Sequence, residues 1–230
     1  TADQGWITGT TYGVIGPWSA GVTVLHYEGG YNAEQWLTIL EREQVTTWYT
    51  APTALRMLMR EPPELFRGHS LETLRTIFSV GEPLNPEVIA WARDMLGKQI
   101  YDTWFQTETG AIMISNRPGL EVKSGSMGKP VNGIKAAILD DAGTSLPPNR
   151  QGQLCLKAGW PSMFVTYLHN AEAYQGKFRD GYYQTGDMAW QDIDGYFWFV
   201  GRTDDVINTA GHLVSPFEIE SALLELPEVA

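Results

Sequence analysis

The chain has 230 residues, of which 43% are hydrophobic and 19% charged, the balance of an ordinary soluble globular protein with enough length for a sizeable core. Its formal net charge of -11 argues against a nucleic-acid backbone or an anionic membrane as partner, though not against one anionic ligand held by a few local donors and a metal. The single cysteine, Cys155, cannot form an internal disulfide, which fits a reducing, cytoplasmic setting.

From Gln4 to Tyr27 the chain carries no formal charge with His26 neutral, but glycines and Pro17 interrupt any apolar run of bilayer length. The stretch reads as a buried helix followed by a strand over Val22 to Tyr27. Asn32 can cap the next helix, with Gln35 three residues on and Trp36, Ile39 and Leu40 as its apolar stripe. Thr46 to Thr50 is strand-like, and Pro52 suits the first turn of a helix bearing Leu55, Leu58 and Met59. Thr76 to Val80 is another apolar strand. Asn85-Pro86 then opens a helix with Val88, Trp91, Ala92 and Met95 inward and Gly97 as its stop. Ile100 to Trp104 reads as a buried strand. Strands alternating with helices imply a parallel sheet covered on both faces, an α/β subdomain over residues 1–116.

From about residue 117 to 200 the pattern changes. Short strands such as Lys135 to Leu139, Gln153 to Leu156 and Tyr196 to Val200 are separated by turn signals at Asp140-Asp-Ala-Gly143 and Asp192-Ile-Asp-Gly195. This reads as a small antiparallel β-barrel subdomain. A third part, residues 201–230, has a capping box at Ser215-Pro-Phe-Glu218 and an apolar stripe of Ile219, Ala222, Leu223 and Leu226. That stripe has little following chain to bury against, so the sequence is expected to be an internal fragment ending at the start of a C-terminal α+β domain.

Four polar segments stand out against these elements. Tyr101-Asp-Thr-Trp-Phe-Gln-Thr-Glu-Thr-Gly110 sets a hydroxyl, Thr107, beside a carboxylate, Glu108, where a buried strand opens into a glycine-containing loop. Such strand ends are where open α/β sheets bind ligands. A hydroxyl can donate to a phosphate oxygen, and a neighbouring carboxylate can hold the magnesium that travels with it. The others are Ser79-Val-Gly-Glu-Pro83, Tyr183-Gln-Thr-Gly-Asp187 and Gly201-Arg-Thr-Asp-Asp-Val206.

In this order the four segments resemble the adenylate-forming superfamily, which holds acyl-CoA synthetases, luciferases and the adenylation domains of peptide synthetases. Within it the chain is most similar to AMP-forming acetyl-CoA synthetases. The resemblance implies the same α/β and barrel arrangement, ATP, CoA and a short carboxylic acid as substrates, and Mg2+ as cofactor. It assigns Thr107 to the phosphates and Glu108 to the metal, both catalytic. It sets Gly81, Glu82 and Pro83 along the adenine, Trp104 against the ring, and Asp102, Thr103, Phe105 and Gln106 around the nucleotide. Asp187 would accept the two ribose hydroxyls, and Arg202 would add a cation near the ribose and α-phosphate. Ile7, Thr8, Val80 and Phe105 would line the acyl pocket, which the bulk of Phe105 shortens. Asp204 would mark a hinge, and Gly211 and His212 would line the acyl and thiol channel. Members of this group have a phosphate loop upstream and a lysine-bearing domain downstream, and neither lies in this sequence.

Plainer assignments compete at each position. Thr107 and Glu108 also suit a helix cap and first-turn acid, Gly81-Glu-Pro83 an ordinary turn, Trp104 a core residue, Asp187 a turn, Arg202 a surface ion pair and His212 a surface residue. Leu213 stands where such synthetases usually carry an arginine for ATP phosphate. A propionyl- or medium-chain acyl-CoA synthetase is the nearest alternative, and a non-catalytic nucleotide-binding fragment another. Nine Trp, ten Tyr and 27 acids would also suit a carbohydrate-active protein, which predicts tryptophans on exposed platforms.

Overall fold

The computed structural model describes residues 2–205, 207–209, 212–224 and 226. The elements in chain order begin with α1 (Ile7–Thr10), a π-helical turn (Thr11–Ile15) and α2 (Gly16–Ser19). Then follow α3 (Ala33–Arg42), β1 (Thr47–Thr50), α4 (Pro52–Met59), α5 (Pro63–Arg67), β2 (Thr76–Ser79) and α6 (Pro86–Trp91). Contacts divide the chain into two compact units that meet in the sequence at Asp102 and Thr103.

In the first unit, β1 pairs parallel with β2, and β2 with Ile100–Asp102 of β3 (Ile100–Trp104). Helical crossovers make such parallel pairing possible. The helices begin where their local chemistry sets them. Asn32 is extended, and its side chain accepts from the Gln35 amide at 2.8 Å. Pro52 and Pro86 sit in first turns, where a missing N–H costs nothing. After α6 a π-helical turn (Ala92–Leu96) ends at Gly97, whose φ of 63° is left-handed, as a helix stop requires. Leu37, Leu55, Leu58, Ile77, Val88 and Ile100 form the centre of the core, with Trp36 and Trp91 packed against it.

One expectation fails here. The segment before α3 is not a buried helix plus strand. Only Thr8 and Gly9 are buried among the residues of its short helical turns. Val22 to Tyr27 pairs with no strand among the described residues, and Val22, Leu25 and Tyr27 are exposed. Alternation alone does not make a strand, because the ladder needs a neighbour to supply its hydrogen bonds.

In the second unit, Thr103 and Trp104 pair antiparallel with β4 (Ile114–Ser115), and β4 with β5 (Lys129–Pro130). A 3₁₀ turn (Thr107–Thr109) lies between β3 and β4. The main antiparallel sheet contains β6 (Ala136–Leu139), β7 (Gly152–Lys157), β9 (Tyr182–Gln191) and β10 (Phe197–Arg202) in the order β10-β9-β7-β6. After α7 (Ala171–Gly176), β8 (Phe178–Arg179) pairs with β9. The sheet is a curled half-barrel, since β6 and β10 do not pair. Ile114, Leu154, Leu156, Tyr183, Ala189 and Phe197 are its buried centre.

The chain continues as β11 (Ile207–Thr209), β12 (His212–Val214) and α8 (Pro216–Leu224). The Ser215 hydroxyl accepts from the Glu218 amide at 3.3 Å and donates to the Val200 carbonyl, which forms the serine half of the predicted capping box. Ile219, Leu223 and Leu226 are exposed, as an unburied stripe would be. Among the described residues no helix is long and apolar enough to cross a membrane.

Candidate functional site

Candidate residues lie in both units. In the first, Gly81 has φ 96°, and a Cβ there would sit 2.6 Å from the Trp6 ring. Glycine is therefore required both for the backbone turn and for the close approach of the indole. Glu82 does not hang free. Both of its carboxylate oxygens accept from the Thr53 hydroxyl at 2.7 Å, and Arg56 donates to one of them at 2.6 Å. Arg56 also donates to Asn85 at 3.2 Å, which joins α4 to the start of α6. Thr53 and Arg56 belong to no recognised motif; a hydroxyl and a cation three residues apart on one helical face were the available signal. Val80 and Asp102 are buried. Thr8 is buried too, and its hydroxyl has no hydrogen-bond partner among the described residues. Ile7 and Pro83 are half-buried.

In the second unit three of the four motifs meet at one carboxylate. Asp187 is 4% exposed. Its Oδ2 accepts from Trp104 Nε1 at 2.9 Å and from Gln106 Nε2 at 3.1 Å, while Oδ1 accepts from Arg202 at 2.9 Å. Gln106 also donates to the Thr185 carbonyl at 3.0 Å and accepts from the Tyr183 hydroxyl at 2.9 Å. The guanidinium of Arg202 lies 3.5 Å from exposed Asp204, linking the expected hinge residue to the same chain of contacts.

The plainer alternative at Asp187, a turn, does not hold, because the residue is in a strand. Asp187 lies within β9, directly opposite Arg202 on β10. Gly186 before it has φ 78°, and a Cβ there would meet the Arg202 guanidinium at 3.1 Å. The glycine thus lets the strand kink while keeping the arginine beside the acid.

Burial raises the Asp187 carboxyl above its usual range, against the pull of Trp104, Arg202 and Gln106. Partial burial pulls the Arg202 guanidinium down, but its hydrogen bond to Asp187 and the charges of Asp187 and Asp204 together outweigh that and raise it above its ordinary value. A carboxylate offers about four acceptor positions. With Oδ2 already shared by two donors, a diol can add one hydroxyl at Oδ1 directly, and a second only by exchange at Oδ2.

The loop after Trp104 is built to hold its shape. Gln106 and Thr109 cap each other across the 3₁₀ turn, with the Gln106 amide donating to the Thr109 hydroxyl at 3.0 Å. Trp160 and Ser162 donate to the Thr109 carbonyl at 3.0 and 2.7 Å. Gly110, at φ 67°, abuts the Ser162 carbonyl, where a Cβ would approach to 2.3 Å. Exposed Thr107 and half-buried Glu108 are displayed on this turn, and Tyr167 donates to Glu108 Oε1 at 2.7 Å. Among the described residues Glu108 makes no ion pair, and no group of three His, Cys, Asp or Glu side chains could hold a metal by itself. Thr103 is buried, and Phe105 and Trp104 are half-buried, Trp104 packing on the second core.

Burial pushes the Cys155 thiol up to about 11, so it stays protonated. Gly211 lies outside the described residues, as do the side chains of His212 and Leu213, whose backbones belong to β12.

Residues 1–168 match the family model described as AMP-binding enzyme. The acetyl-coenzyme A synthetase of Bacillus subtilis (strain 168) is 50% identical over the whole of this chain, which spans 40% of that relative. Among solved structures, an anthranilate CoA ligase in complex with anthranoyl-AMP matches with a TM-score of 0.90 at 32% identity, over 98% of this chain and 43% of the other. An acyl-CoA synthetase of Brucella canis matches with a TM-score of 0.81 at 41% identity, over 98% and 42%.

Proposed function

Because this chain belongs to the AMP-binding enzyme family, we propose that it is the nucleotide-binding middle of an acetate–CoA ligase (AMP-forming). The intact ligase activates acetate or another short carboxylic acid with ATP to acyl-AMP, then passes the acyl group to CoA. The observation that carries this reading is the Asp187 network, in which Trp104 and Gln106 of one motif, Asp187 of a second and Arg202 of a third converge on one buried carboxylate. The 50% identity to an acetyl-coenzyme A synthetase supports the choice of acid.

In this reading Asp187 accepts the ribose hydroxyls, and Arg202 balances charge near the ribose and α-phosphate. Gly81, Glu82 and Pro83 follow the adenine, with Thr53 and Arg56 fixing the Glu82 carboxylate. Asp102, Thr103 and Phe105 complete the nucleotide's surroundings, and Trp104 walls the ring. Thr107 donates to phosphate oxygens. Glu108 suits magnesium, because among the described residues it pairs with no cation and a single carboxylate is enough for an ion that arrives with phosphates and waters. When bound, the ion neutralises phosphate charge. Most of the rate advantage in such phosphoryl chemistry comes from positioning and preorganised charge. Asp204 serves as hinge, and Gly211 and His212 line the thiol channel. The division at residues 1–116, 117–200 and 201–230, the absence of nucleic-acid or membrane partners, and a cytoplasmic setting belong to the same proposal.

Ile7, Thr8, Val80 and Phe105 are assigned to the acyl pocket. A propionyl- or medium-chain acyl-CoA synthetase is the second reading, favoured only if the pocket is deeper than Phe105 implies, since one methylene discriminates by only about 1–3 kcal/mol. The carbohydrate reading loses its footing: Trp36, Trp91 and Trp104 pack on the two cores rather than on open platforms. The deciding experiment is acid-dependent ATP–pyrophosphate exchange by the full-length protein with acetate, propionate, butyrate and octanoate. A maximum at acetate or propionate is expected. A maximum at octanoate would reject the short pocket, and no exchange with any acid would reject the ligase. Phe105→Gly should move the preference toward longer acids.

A further inference from the structure

Glu108 is tied to an aromatic cluster that no motif announces. Phe164 is its hub, with ring centroids 5.1 Å from Tyr167, 4.9 Å from Tyr174, 6.0 Å from Phe178 and 5.7 Å from Tyr183. Two tyrosines at its edge send their hydroxyls to the same short turn: Tyr183 to Gln106 Oε1 at 2.9 Å, and Tyr167 to Glu108 Oε1 at 2.7 Å. The Phe164 amide donates to the Glu108 carbonyl at 3.0 Å, so backbone and side chain of Glu108 are fastened to one segment.

We propose that Tyr167 is a positioning residue for Glu108: its hydroxyl pins Oε1 and fixes the carboxylate rotamer, leaving Oε2 as the acceptor for a divalent cation carried by a nucleoside triphosphate. This rests on the nucleotide-binding reading above. The chemistry follows from what each group can do. A carboxylate on a free side chain loses rotamer entropy when it captures a cation, and a neutral phenol removes that cost beforehand without cancelling the negative charge. An arginine or lysine in the same place would compete with the cation. The Tyr167 ring is held at both edges of its reach, by Phe164 on one side and by Glu108 on the other.

The test uses the full-length protein, with Mn2+ and a non-hydrolysable ATP analogue as probe, and free Mn2+ read by electron paramagnetic resonance. Tyr167→Phe keeps the ring and its packing on Phe164. It should weaken Mn2+ binding in the nucleotide complex about tenfold, the usual effect of losing a hydrogen bond behind a metal ligand. The half-saturating Mg2+ in pyrophosphate exchange should rise by a similar factor while KM for the acid stays put. Tyr174→Phe, which removes a hydroxyl from the same cluster without touching Glu108, should change neither. Unchanged Mn2+ affinity in Tyr167→Phe overturns the proposal, and so does an equal loss in Tyr174→Phe, which would mean that the cluster acts by packing. If the wild-type protein binds the Mn2+–nucleotide but exchanges no pyrophosphate, the ligase reading fails while the Mn2+ comparison still decides Tyr167.

Discussion

Asp187→Asn tests whether the three motifs are joined through one carboxylate. The side chain is 4% exposed and accepts three donors at 2.9, 3.1 and 2.9 Å. Each hydrogen bond to a charged group is worth about 1.5–3 kcal/mol. Asparagine keeps the shape but only one acceptor oxygen, so at least one donor faces an amide N–H₂ instead. Two effects reduce the cost. Arg202 has a side chain 42% exposed and can turn to water, which puts the loss below the roughly 3–5 kcal/mol of a broken, fully buried pair. Removing the charge also relieves the desolvation that raises the Asp187 carboxyl. A net destabilisation of about 1–2 kcal/mol follows. Urea unfolding of the full-length protein, followed by tryptophan fluorescence, measures it. A double-mutant cycle with Arg202→Gln should give a coupling of roughly 0.5–1.5 kcal/mol. The same variant should lose about tenfold or more in ATP affinity but little for 2′,3′-dideoxy-ATP, which has no diol. Zero coupling and no loss of stability would refute the network as a joint between motifs. Equal losses for both nucleotides would show that Asp187 acts through the fold alone.

Gly110→Ala should destabilise the loop by at least about 2 kcal/mol and lower exchange activity, because φ 67° is strained for alanine and the new Cβ would lie 2.3 Å from the Ser162 carbonyl; thermal unfolding reads the stability loss. Lowering pH should weaken ribonucleotide binding through the raised pKa of Asp187, since diol acceptance needs the anion. The folded protein takes up that proton at a higher pH than the unfolded chain, so folding gains over the same window in which binding fades; titrations with ATP and its dideoxy analogue from neutral to acidic pH separate the two. The 230-residue chain expressed alone should associate, because Ile15, Trp18, Val22 and Leu223 are exposed, and should make no acyl-AMP, because neither the phosphate loop nor the lysine the family resemblance implies lies in this sequence. Light scattering and acyl-AMP assays check this, and a stable monomer with turnover would contradict it.

What the sequence by itself determined is what near neighbours control. Asn32 with Gln35, Pro52 and Pro86 in first turns, and Gly97 at its left-handed stop all act within one helical turn, so each was legible from its local spacing. The alternation of helices with short apolar strands likewise specified a parallel sheet before any contact was known. Motif order singled out Trp104, Gln106, Glu108, Asp187 and Arg202 as candidates, but not their partners. Only tertiary structure brought Asp187 and Trp104, 83 positions apart, within hydrogen-bond distance. Pairing of β9 with β10 turned an apparent loop at Asp187 into a kinked strand facing Arg202. Val22 to Tyr27 failed in the opposite sense: its pattern suits a strand, and nothing among the described residues pairs with it. Thr53 and Arg56 offered only their shared helical face, which does not name Glu82 as their partner, and Tyr167 offered nothing that points to Glu108, because a residue that holds another in place is defined by where the chain returns in space. Side-chain pairs at long separation depend on the packing of whole units, and no local spacing encodes that.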